Sequence, residues 1–291
     1  MSVRKGQRWL LFGGAGLVGS HVRNALRDRE AIVTTHRTSL PGASPIDLTD
    51  RRAVTDLVRR VRPDVIVMAA AEAHVEKCER EPAATAIVNV DAVRVVADAA
   101  PRALLVVFSS EYVFDGRRGH YAEEDPVAPI NEYGRQKVRV ESIARERPEH
   151  LICRVSGVYG WSHARTSFVA QLVDRSREGR RFRVPADQLI TPTPARDLGE
   201  AVVDLVDRQA RGTIHAAGPE VLARPEFARR AALAFGLDPS LVEPVPTADL
   251  GLAAPRPLRA GLSTARLRAL LGRELSPSAE GLAAMRATEP R

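Results

Sequence analysis

Short apolar runs alternate with amphipathic stretches of helical length over the first half of this 291-residue chain. Strands that alternate with helices in this way form a parallel sheet, with right-handed crossovers and helices on both faces. The apolar runs show no polar alternation, which indicates strands buried on both sides. The predicted strands are 9–12, 31–35, 65–70, 104–108 and 151–155, and the predicted helices between them are 17–29, 51–61, 83–99 and 133–147.

Three glycines with the spacing G-x-x-G-x-x-G directly follow the first predicted strand and open the first predicted helix. Glycine permits a tight turn and a close approach of a ligand to the backbone, and a helix N-terminus offers N–H groups to a phosphate. The context favours a dinucleotide site over the alternative, a tight turn without a ligand. The cofactor-binding residues predicted in this loop are Gly13, Ala15, Gly16, Leu17, Val18 and Gly19.

The end of the second predicted strand bears on which dinucleotide is preferred. NAD-binding folds usually carry an acidic residue there, which hydrogen-bonds the ribose hydroxyls. Here the strand runs into His36 and Arg37 with no acidic residue in reach, and Arg37 could pair with a 2′-phosphate instead. We therefore expect NADP, with NAD as the alternative. Asp47 and Leu48 are candidates to line the adenine, unless Asp47 caps a helix.

The sequence pattern changes after about residue 160, where the apolar and helix-like segments are shorter and are interrupted by prolines. We expect an α/β fold with a doubly wound parallel sheet of the Rossmann type and a smaller C-terminal lobe. Residues 1–160 would form the dinucleotide-binding domain and residues 161–291 the substrate-binding lobe, with strand exchange between the two left open. The predicted helices of the second half are 166–178, 197–208, 264–271 and 278–285.

A tyrosine and a lysine four positions apart, Tyr133 and Lys137, fall on one face of the fourth predicted helix. A phenol with a reference pKa of about 10 is a poor proton shuttle at neutral pH, and a neighbouring ammonium would lower that pKa. Ser110 follows the fourth strand, where its hydroxyl could hydrogen-bond a substrate oxygen during hydride transfer. Chance Tyr/Lys pairs are common on helices, but only Lys5 and Lys77 accompany Lys137 in this chain. We predict Ser110, Tyr133 and Lys137 as catalytic residues.

The formal net charge of +7 and the pI near 10.1 raise the question of a nucleic-acid partner. Arginines are spread along the chain and aromatic residues make up only 4%, so we expect none. No apolar run approaches the roughly 20 residues of a membrane helix, and the N-terminus lacks the pattern of a signal peptide. Cys78 and Cys153 lack metal-ligand spacing. We expect a cytoplasmic protein with no membrane partner.

The glycine loop, the strand-end serine and the Tyr/Lys pair together resemble the extended short-chain dehydrogenase/reductase superfamily. Within it, residues 109–116 are similar to the S-T-D-Y-V-F-D-G segment of dTDP-4-dehydrorhamnose reductases, the RmlD-like sugar-nucleotide-binding family. The motif order follows that family over most of the chain. Further matches are 65–71, 78–82, Asn89, 121–125, 129–137, Glu141, 154–160, 187–192, 256–257 and 262–264.

This resemblance implies a reductase that transfers a hydride from NAD(P)H to a keto group of a nucleotide-linked sugar. Ser110 would polarise the keto oxygen, Tyr133 would deliver the proton, and Lys137 would hold the cofactor ribose and tune Tyr133. The resemblance also implies contacts to the cofactor from Ala69, Ala70, Ala71, Asn89 and Ser109, and contacts to the sugar or nucleotide from His74, Ser110, Glu111, Tyr112 and Gln188.

Two departures from the family pattern fall in the implied substrate pocket. Gly157 stands where these reductases usually have the tryptophan that flanks the sugar, and residues 72–76 differ from the usual polar-aromatic pattern. The acidic residues that place a divalent ion in some members have no match, so we expect no metal. The sugar and its nucleotide therefore remain open.

Two other functions remain open on the same scaffold. A nucleotide-sugar epimerase needs no acid–base pair beyond the tyrosine, whereas a 4,6-dehydratase needs two acidic residues where this chain has Glu111 and Tyr112. A non-catalytic regulatory subunit, like the beta subunit of methionine adenosyltransferase, shares the fold and a similar S-S-x-Y-V-F-D-G run. The complete set of Ser110, Tyr133 and Lys137 argues for an enzyme. Dimers are common in the superfamily, and a homodimer is left open here.

Overall fold

A parallel sheet of seven strands forms the centre of the computed structural model, which describes residues 6–35 and 40–290. Further short strands form three two-stranded pairs in the second half of this part of the chain. The strands are β1 (Trp9–Phe12), β2 (Ala31–Thr35), β3 (Ala43–Pro45), β4 (Val65–Met68), β5 (Leu104–Ser110), β6 (His150–Val155), β7 (Val158–Tyr159), β8 (Phe182–Pro185), β9 (Leu189–Ile190), β10 (Thr193–Pro194), β11 (Gly212–His215), β12 (Leu222–Ala223) and β13 (Val242–Val245).

The strands of the central sheet run in the order β3-β2-β1-β4-β5-β6-β11, and every neighbouring pair is parallel. Because β1 pairs with both β2 and β4, the winding of the chain changes direction there. Open α/β sheets bind their ligands in the crevice at such a switch point, at the carboxyl ends of the strands. This order confirms the prediction of a doubly wound Rossmann-type fold.

Helices cover both faces of this sheet. None of the helices in the described part of the chain is long and apolar enough to span a bilayer. Short 3₁₀ turns lie at Glu111–Val113, Pro239–Leu241 and Thr247–Leu250, and a π-helical turn at Ile87–Asp91. The α-helices are α1 (Leu17–Ala25), α2 (Arg51–Val61), α3 (Val75–Arg80), α4 (Pro82–Ala86), α5 (Ala92–Ala99), α6 (Glu132–Arg145), α7 (Phe168–Arg177), α8 (Ala195–Asp207), α9 (Arg224–Ala234), α10 (Ala265–Leu271) and α11 (Ser278–Ala287).

Alternate side chains of each central strand enter two separate cores, one on each face of the sheet. In β1, Trp9 and Leu11 pack with side chains of α1, α8 and α10. Leu10 and Phe12 of the same strand pack with side chains of α2, α5 and α6. Because both faces are covered, the strands are apolar throughout, which explains why the sequence shows no polar alternation.

The second half of the chain supplies both a separate lobe and part of the sheet. Tyr159, Phe182 and Phe227 belong to a third apolar cluster, which packs α7, α9 and α11 together with β8. In contrast, α8 packs against α1, and β11 pairs with β6 as the outermost strand of the sheet. Residues after 160 therefore contribute both to the central sheet and to the separate cluster, while the domain division at residue 160 and the strand exchange stay predictions.

Several elements differ from the sequence-based expectation, among them α3, most of the short strands after residue 157, and the following three. β3 was not expected, because its three residues are partly or fully exposed and give no apolar signal. α9 was also not expected, since it opens with Arg224 and Pro225 and consists largely of alanine and charged residues. The helix expected over 83–99 is interrupted by the π-helical turn Ile87–Asp91. The remaining predicted strands and helices are present, with bounds shifted by a few residues.

Candidate active site

Ser110 lies at the carboxyl edge of the sheet as the last residue of β5, a strand whose residues are all buried. The chain leaves the strand through the 3₁₀ turn Glu111–Val113. The Ser110 hydroxyl oxygen accepts the N–H of Tyr112 at 3.3 Å, and the hydroxyl donates to the Glu111 carboxylate at 2.8 Å. These contacts hold the hydroxyl at the strand end.

Tyr133 lies in the first turn of α6, and neighbouring residues fix where that helix begins. The Asn131 side chain caps the helix by accepting the N–H of Gly134 at 2.9 Å, and its amide donates to the carbonyl oxygen of Pro255 at 2.8 Å. A Cβ at Gly134 would lie 2.2 Å from the Tyr112 carbonyl oxygen, so only glycine allows this approach. The rings of Tyr112 and Tyr133 meet edge to face, with centroids 5.7 Å apart.

The Lys137 ammonium lies over the Tyr133 ring, 5.4 Å from its centroid. Burial lowers the pKa of Lys137 to about 8. Burial, reinforced by the nearby Glu111 carboxylate, raises the pKa of Tyr133 above its ordinary value. From the sequence, the ammonium was expected to lower the pKa of Tyr133, but the loss of water from the phenol outweighs that effect in the structure. The phenol is thus protonated at neutral pH, with a cation placed to stabilise the phenolate that proton donation leaves behind.

Glu111 places a buried carboxyl group beside the serine, with 5% of the residue exposed. Burial raises the pKa of Glu111, and the hydrogen bond from Ser110 acts in the opposite direction. A protonated carboxyl group can donate a hydrogen bond, whereas a carboxylate can only accept one. The orientation of the Ser110 hydroxyl is therefore coupled to the protonation of Glu111.

The glycine loop forms an open cradle between β1 and α1. Gly13 has a φ of +86°, and a Cβ there would lie 2.6 Å from the Ala70 nitrogen. A Cβ at Gly19 would lie 2.1 Å from the Gly13 carbonyl oxygen. No side chain caps the first turn of α1, which follows Gly16. The rim carries the residues predicted beside the cofactor, which are partly or fully exposed: Ala15, Gly16, Leu17, Val18, Ala69, Ala70 and Ala71.

Asn89 connects the cofactor side of the site to α6 through buried hydrogen bonds. It lies in the π-helical turn, a feature that often occurs at functional sites. Its amide donates to the Glu72 carbonyl oxygen at 3.0 Å and to the Gln136 side-chain oxygen at 2.7 Å. Its side-chain oxygen accepts the Glu72 N–H at 2.7 Å. Gln136, which carried no functional signal in the sequence, therefore joins the segment after β4 to the helix of Tyr133 and Lys137.

Ser109 takes part in a buried ionic network on the other side of β5. Its hydroxyl donates to the Glu141 carboxylate at 2.6 Å, and Arg154 donates twice to the same carboxylate, at 2.8 and 2.9 Å. Burial acts to raise the pKa of Glu141, but the hydrogen bonds and charge of Arg154 hold it below its ordinary value. This network joins β5, α6 and β6 beneath the site. The contact of Ser109 with the cofactor stays a prediction.

The residues predicted to contact the substrate come from three segments of the chain. Ser110, Glu111 and Tyr112 are adjacent, as described above. Gln188 is buried, and its amide donates to the Thr247 hydroxyl at 3.0 Å. His74 is exposed and precedes α3. Among residues 6–35 and 40–290, no three His, Cys, Asp or Glu side chains are grouped so as to hold a metal ion.

The residues expected near the adenine occupy the other end of the sheet edge. The Asp47 side chain accepts the N–H and the hydroxyl of Thr49, at 2.9 and 2.8 Å. Asp50, rather than Asp47, caps α2 by accepting the N–H of Ala53. Leu48 packs in the core beneath α2. The predicted contact of Arg37 with a 2′-phosphate lies outside the described residues.

Comparisons with known proteins find relatives along most of the chain. A sequence profile of the RmlD substrate-binding domain matches residues 7–289. A probable dTDP-4,6-dihydroxy-2-methyloxan-3-one 4-ketoreductase from Streptomyces antibioticus is 31% identical over 290 residues, which cover 97% of this chain and 95% of that protein. The methionine adenosyltransferase 2 subunit beta of Danio rerio is 30% identical over 274 residues, which cover 91% of this chain and 85% of that protein.

The solved structures extend this likeness to the fold. The dTDP-4-dehydrorhamnose reductase of Bacillus anthracis, in complex with NADP, matches with a TM-score of 0.88 and 27% identity, covering 97% of this chain and 99% of that one. The match spans the sheet and the C-terminal lobe, and the resemblance seen in residues 109–116 is confirmed. This chain belongs to the family defined by the RmlD substrate-binding domain.

Proposed function

We propose that this protein is an NADPH-dependent reductase of a nucleotide-linked keto sugar, in which Tyr133 donates the proton. The observation that carries the proposal is the convergence of Ser110, Tyr133 and Lys137 at the carboxyl edge of the sheet, the edge that also holds the glycine cradle. The reductases among the relatives confirm the expectation of an NAD(P)-dependent reductase. Which keto sugar it reduces is part of the proposal to be tested.

The residues present fit a dinucleotide phosphate. Gly13 and Gly19 let the turn pack tightly, because a Cβ on either would collide with the backbone of Ala70 or of Gly13. The first turn of α1 has no side-chain cap that would compete with a phosphate. Gly13 and the N–H groups that open α1 would hold the pyrophosphate, and Lys137 would hold the nearby ribose. When bound, NADPH supplies the hydride for the keto carbon.

The protein's own groups then complete the reduction. The Ser110 hydroxyl donates a hydrogen bond to the keto oxygen, which becomes negatively charged as the hydride arrives. When Glu111 is protonated, it donates to the Ser110 oxygen, and the Ser110 hydroxyl keeps its proton and is free to donate this hydrogen bond to the keto oxygen. Tyr133 gives its proton to the same oxygen, so the carbonyl becomes an alcohol. The phenolate left on Tyr133 is stabilised by the Lys137 ammonium.

The test is NADPH oxidation with a panel of dTDP-, GDP- and UDP-linked 4-keto sugars. Tyr133→Phe is expected to lower kcat by about 10²- to 10⁴-fold, the usual contribution of a general acid, and to leave NADPH affinity within roughly threefold. Tyr159→Phe is the matched control, because the Tyr159 hydroxyl is buried in the lobe and has no hydrogen-bond partner among the described residues. Unchanged turnover in Tyr133→Phe would remove the mechanism.

Two results would redirect the proposal to other chemistry. A tightly retained cofactor with no net NADPH consumption, but with conversion of a sugar, would indicate an epimerase. Binding of NADPH without turnover of any substrate in the panel would favour a binding subunit, a second candidate that the likeness to the Danio rerio protein supports.

A further inference from the structure

Arg224 lies at the start of α9, in the lobe where α7, α9 and α11 pack together. It is the first residue of α9 and follows β12, which pairs with β9. Its backbone N–H donates to the Gln188 carbonyl oxygen at 2.9 Å. The backbone of Arg224 is therefore fixed by the strand pair, and its position does not depend on a surface loop.

The guanidinium of Arg224 makes no hydrogen bond or ion pair with any residue in the described ranges. Its Nε is buried and unpartnered, and its Cζ lies over the Phe168 ring, 5.5 Å from the centroid. Buried polar groups are almost always paired, and an unpaired cation costs folding free energy. A partly buried arginine that rests on an aromatic ring and keeps its donors unused is arranged to receive an anion.

The groups on which the Arg224 charge acts show which part of the molecule it faces. Burial raises the pKa of Tyr112, and the positive charge of Arg224 is the strongest opposing influence. Arg224 also opposes the raised pKa of Glu111. The charge of Arg224 therefore acts on both residues that follow Ser110, and its backbone partner Gln188 is one of the residues predicted to contact the substrate. Arg256 also acts on Tyr112, but its guanidinium donates to the Glu76 carboxylate at 2.7 Å.

We propose that Arg224 binds a phosphate of the nucleoside diphosphate to which the sugar is attached. The inference rests on the proposed function and adds its recognition element: the enzyme distinguishes nucleotide-linked sugars from free sugars through this cation. The planar guanidinium suits bidentate binding of phosphate oxygens. With the diphosphate held between α9 and Tyr112, the sugar is directed toward Ser110 and Tyr133.

The experiment measures binding of dTDP and of UDP to the full chain by calorimetry, with NADP present at saturation so that the cofactor site is filled. Arg224→Gln is expected to weaken binding of the better nucleotide roughly 10- to 100-fold, the usual value of a charge-assisted hydrogen-bond pair. Arg224→Lys is expected to recover part of the loss. Arg229→Gln, an exposed arginine of the same helix, removes the same charge and is expected to bind like the wild type.

In turnover assays, Arg224→Gln is expected to raise KM for the nucleotide sugar by a similar factor, with kcat and KM for NADPH within about threefold. Wild-type affinity in Arg224→Gln, or an equal loss in Arg229→Gln, would overturn the inference. Reduction of keto sugars by a protein that binds neither nucleotide would also overturn it and leave the reductase proposal standing. Nucleotide binding that needs Arg224, without turnover of any keto sugar, would instead refute the reductase proposal alone.

Discussion

Lys137 donates a hydrogen bond to the carbonyl oxygen of Phe108 at 2.9 Å, and this bond joins α6 to the strand that ends in Ser110. A carbonyl oxygen attracts an ammonium group but does not neutralise it. Burial is therefore only partly compensated, and it lowers the pKa of Lys137 to about 8. The group that faces Tyr133 thus changes its charge within the range in which enzymes are assayed.

The first prediction concerns the pH dependence of the reaction. kcat/KM is expected to fall as the pH rises through about 8, because Lys137 loses the proton that stabilises the Tyr133 phenolate. Lys137→Arg, whose guanidinium stays charged, is expected to be slower but to lack this decline. The measurement is kcat/KM from about pH 6 to about pH 10 for both proteins. A decline that persists unchanged in Lys137→Arg would assign it to another group.

The same pKa has a consequence for stability. Unfolded lysine keeps its proton up to a pH of about 10.4, so the unfolded state binds more protons than the folded state above about pH 8. The free energy of unfolding of the cofactor-free protein therefore gains a contribution that rises with pH across that window. Lys137→Met removes this contribution, and denaturant titrations of both proteins at two pH values within the window would reveal its absence.

The second prediction concerns Glu111. A protonated carboxyl group donates to the Ser110 hydroxyl, and a glutamine amide can do the same. Glu111→Gln is therefore expected to retain kcat within about tenfold, whereas Glu111→Leu is expected to lose roughly 10²-fold, because Ser110 is no longer oriented. Steady-state kinetics on the preferred keto sugar provide the measurement. Equal losses in both variants would indicate that the site uses the negative charge of Glu111.

The third prediction compares two arginines that share the Glu141 carboxylate. The Arg154 side chain is 2% exposed, and the Arg145 side chain is 43% exposed. Arg154→Gln leaves a buried carboxylate without its main partner and is expected to cost about 3–5 kcal/mol of unfolding free energy. Arg145→Gln is expected to cost less than about 1 kcal/mol. Urea denaturation measures both, and similar values for the two variants would contradict this account of the network.

The sequence identified the parts of the site that local chemistry encodes. Ser110 ends a buried strand, and Tyr133 and Lys137 lie one helical turn apart at the start of α6. Parallel strands end at one edge of their sheet, so the serine, the Tyr/Lys pair and the glycine loop could be placed together without coordinates. The structure also explains why the glycine at position 13 was a useful signal: its backbone conformation and its contact with Ala70 both require glycine.

The sequence could not identify contacts between residues that are far apart along the chain. The pairing of Asn89 with Gln136 depends on the π-helical turn, which redirects one side chain and has no local signal in the sequence. The place of Arg224 depends on α9, which shows little apolar periodicity, and on the short strand pair before it. That the Arg224 guanidinium has no hydrogen-bond partner among the described residues can be seen only from the coordinates.

The outermost strand of the sheet bears on how the chain is made. Because β11 covers the edge of β6 and α8 covers α1, a nascent chain that has emerged only to residue 160 presents an unpaired strand edge and a bare apolar helix face. Such surfaces recruit other chains and favour aggregation. During synthesis, this strand edge and this helix face therefore stay uncovered until the chain through His215 has left the ribosome.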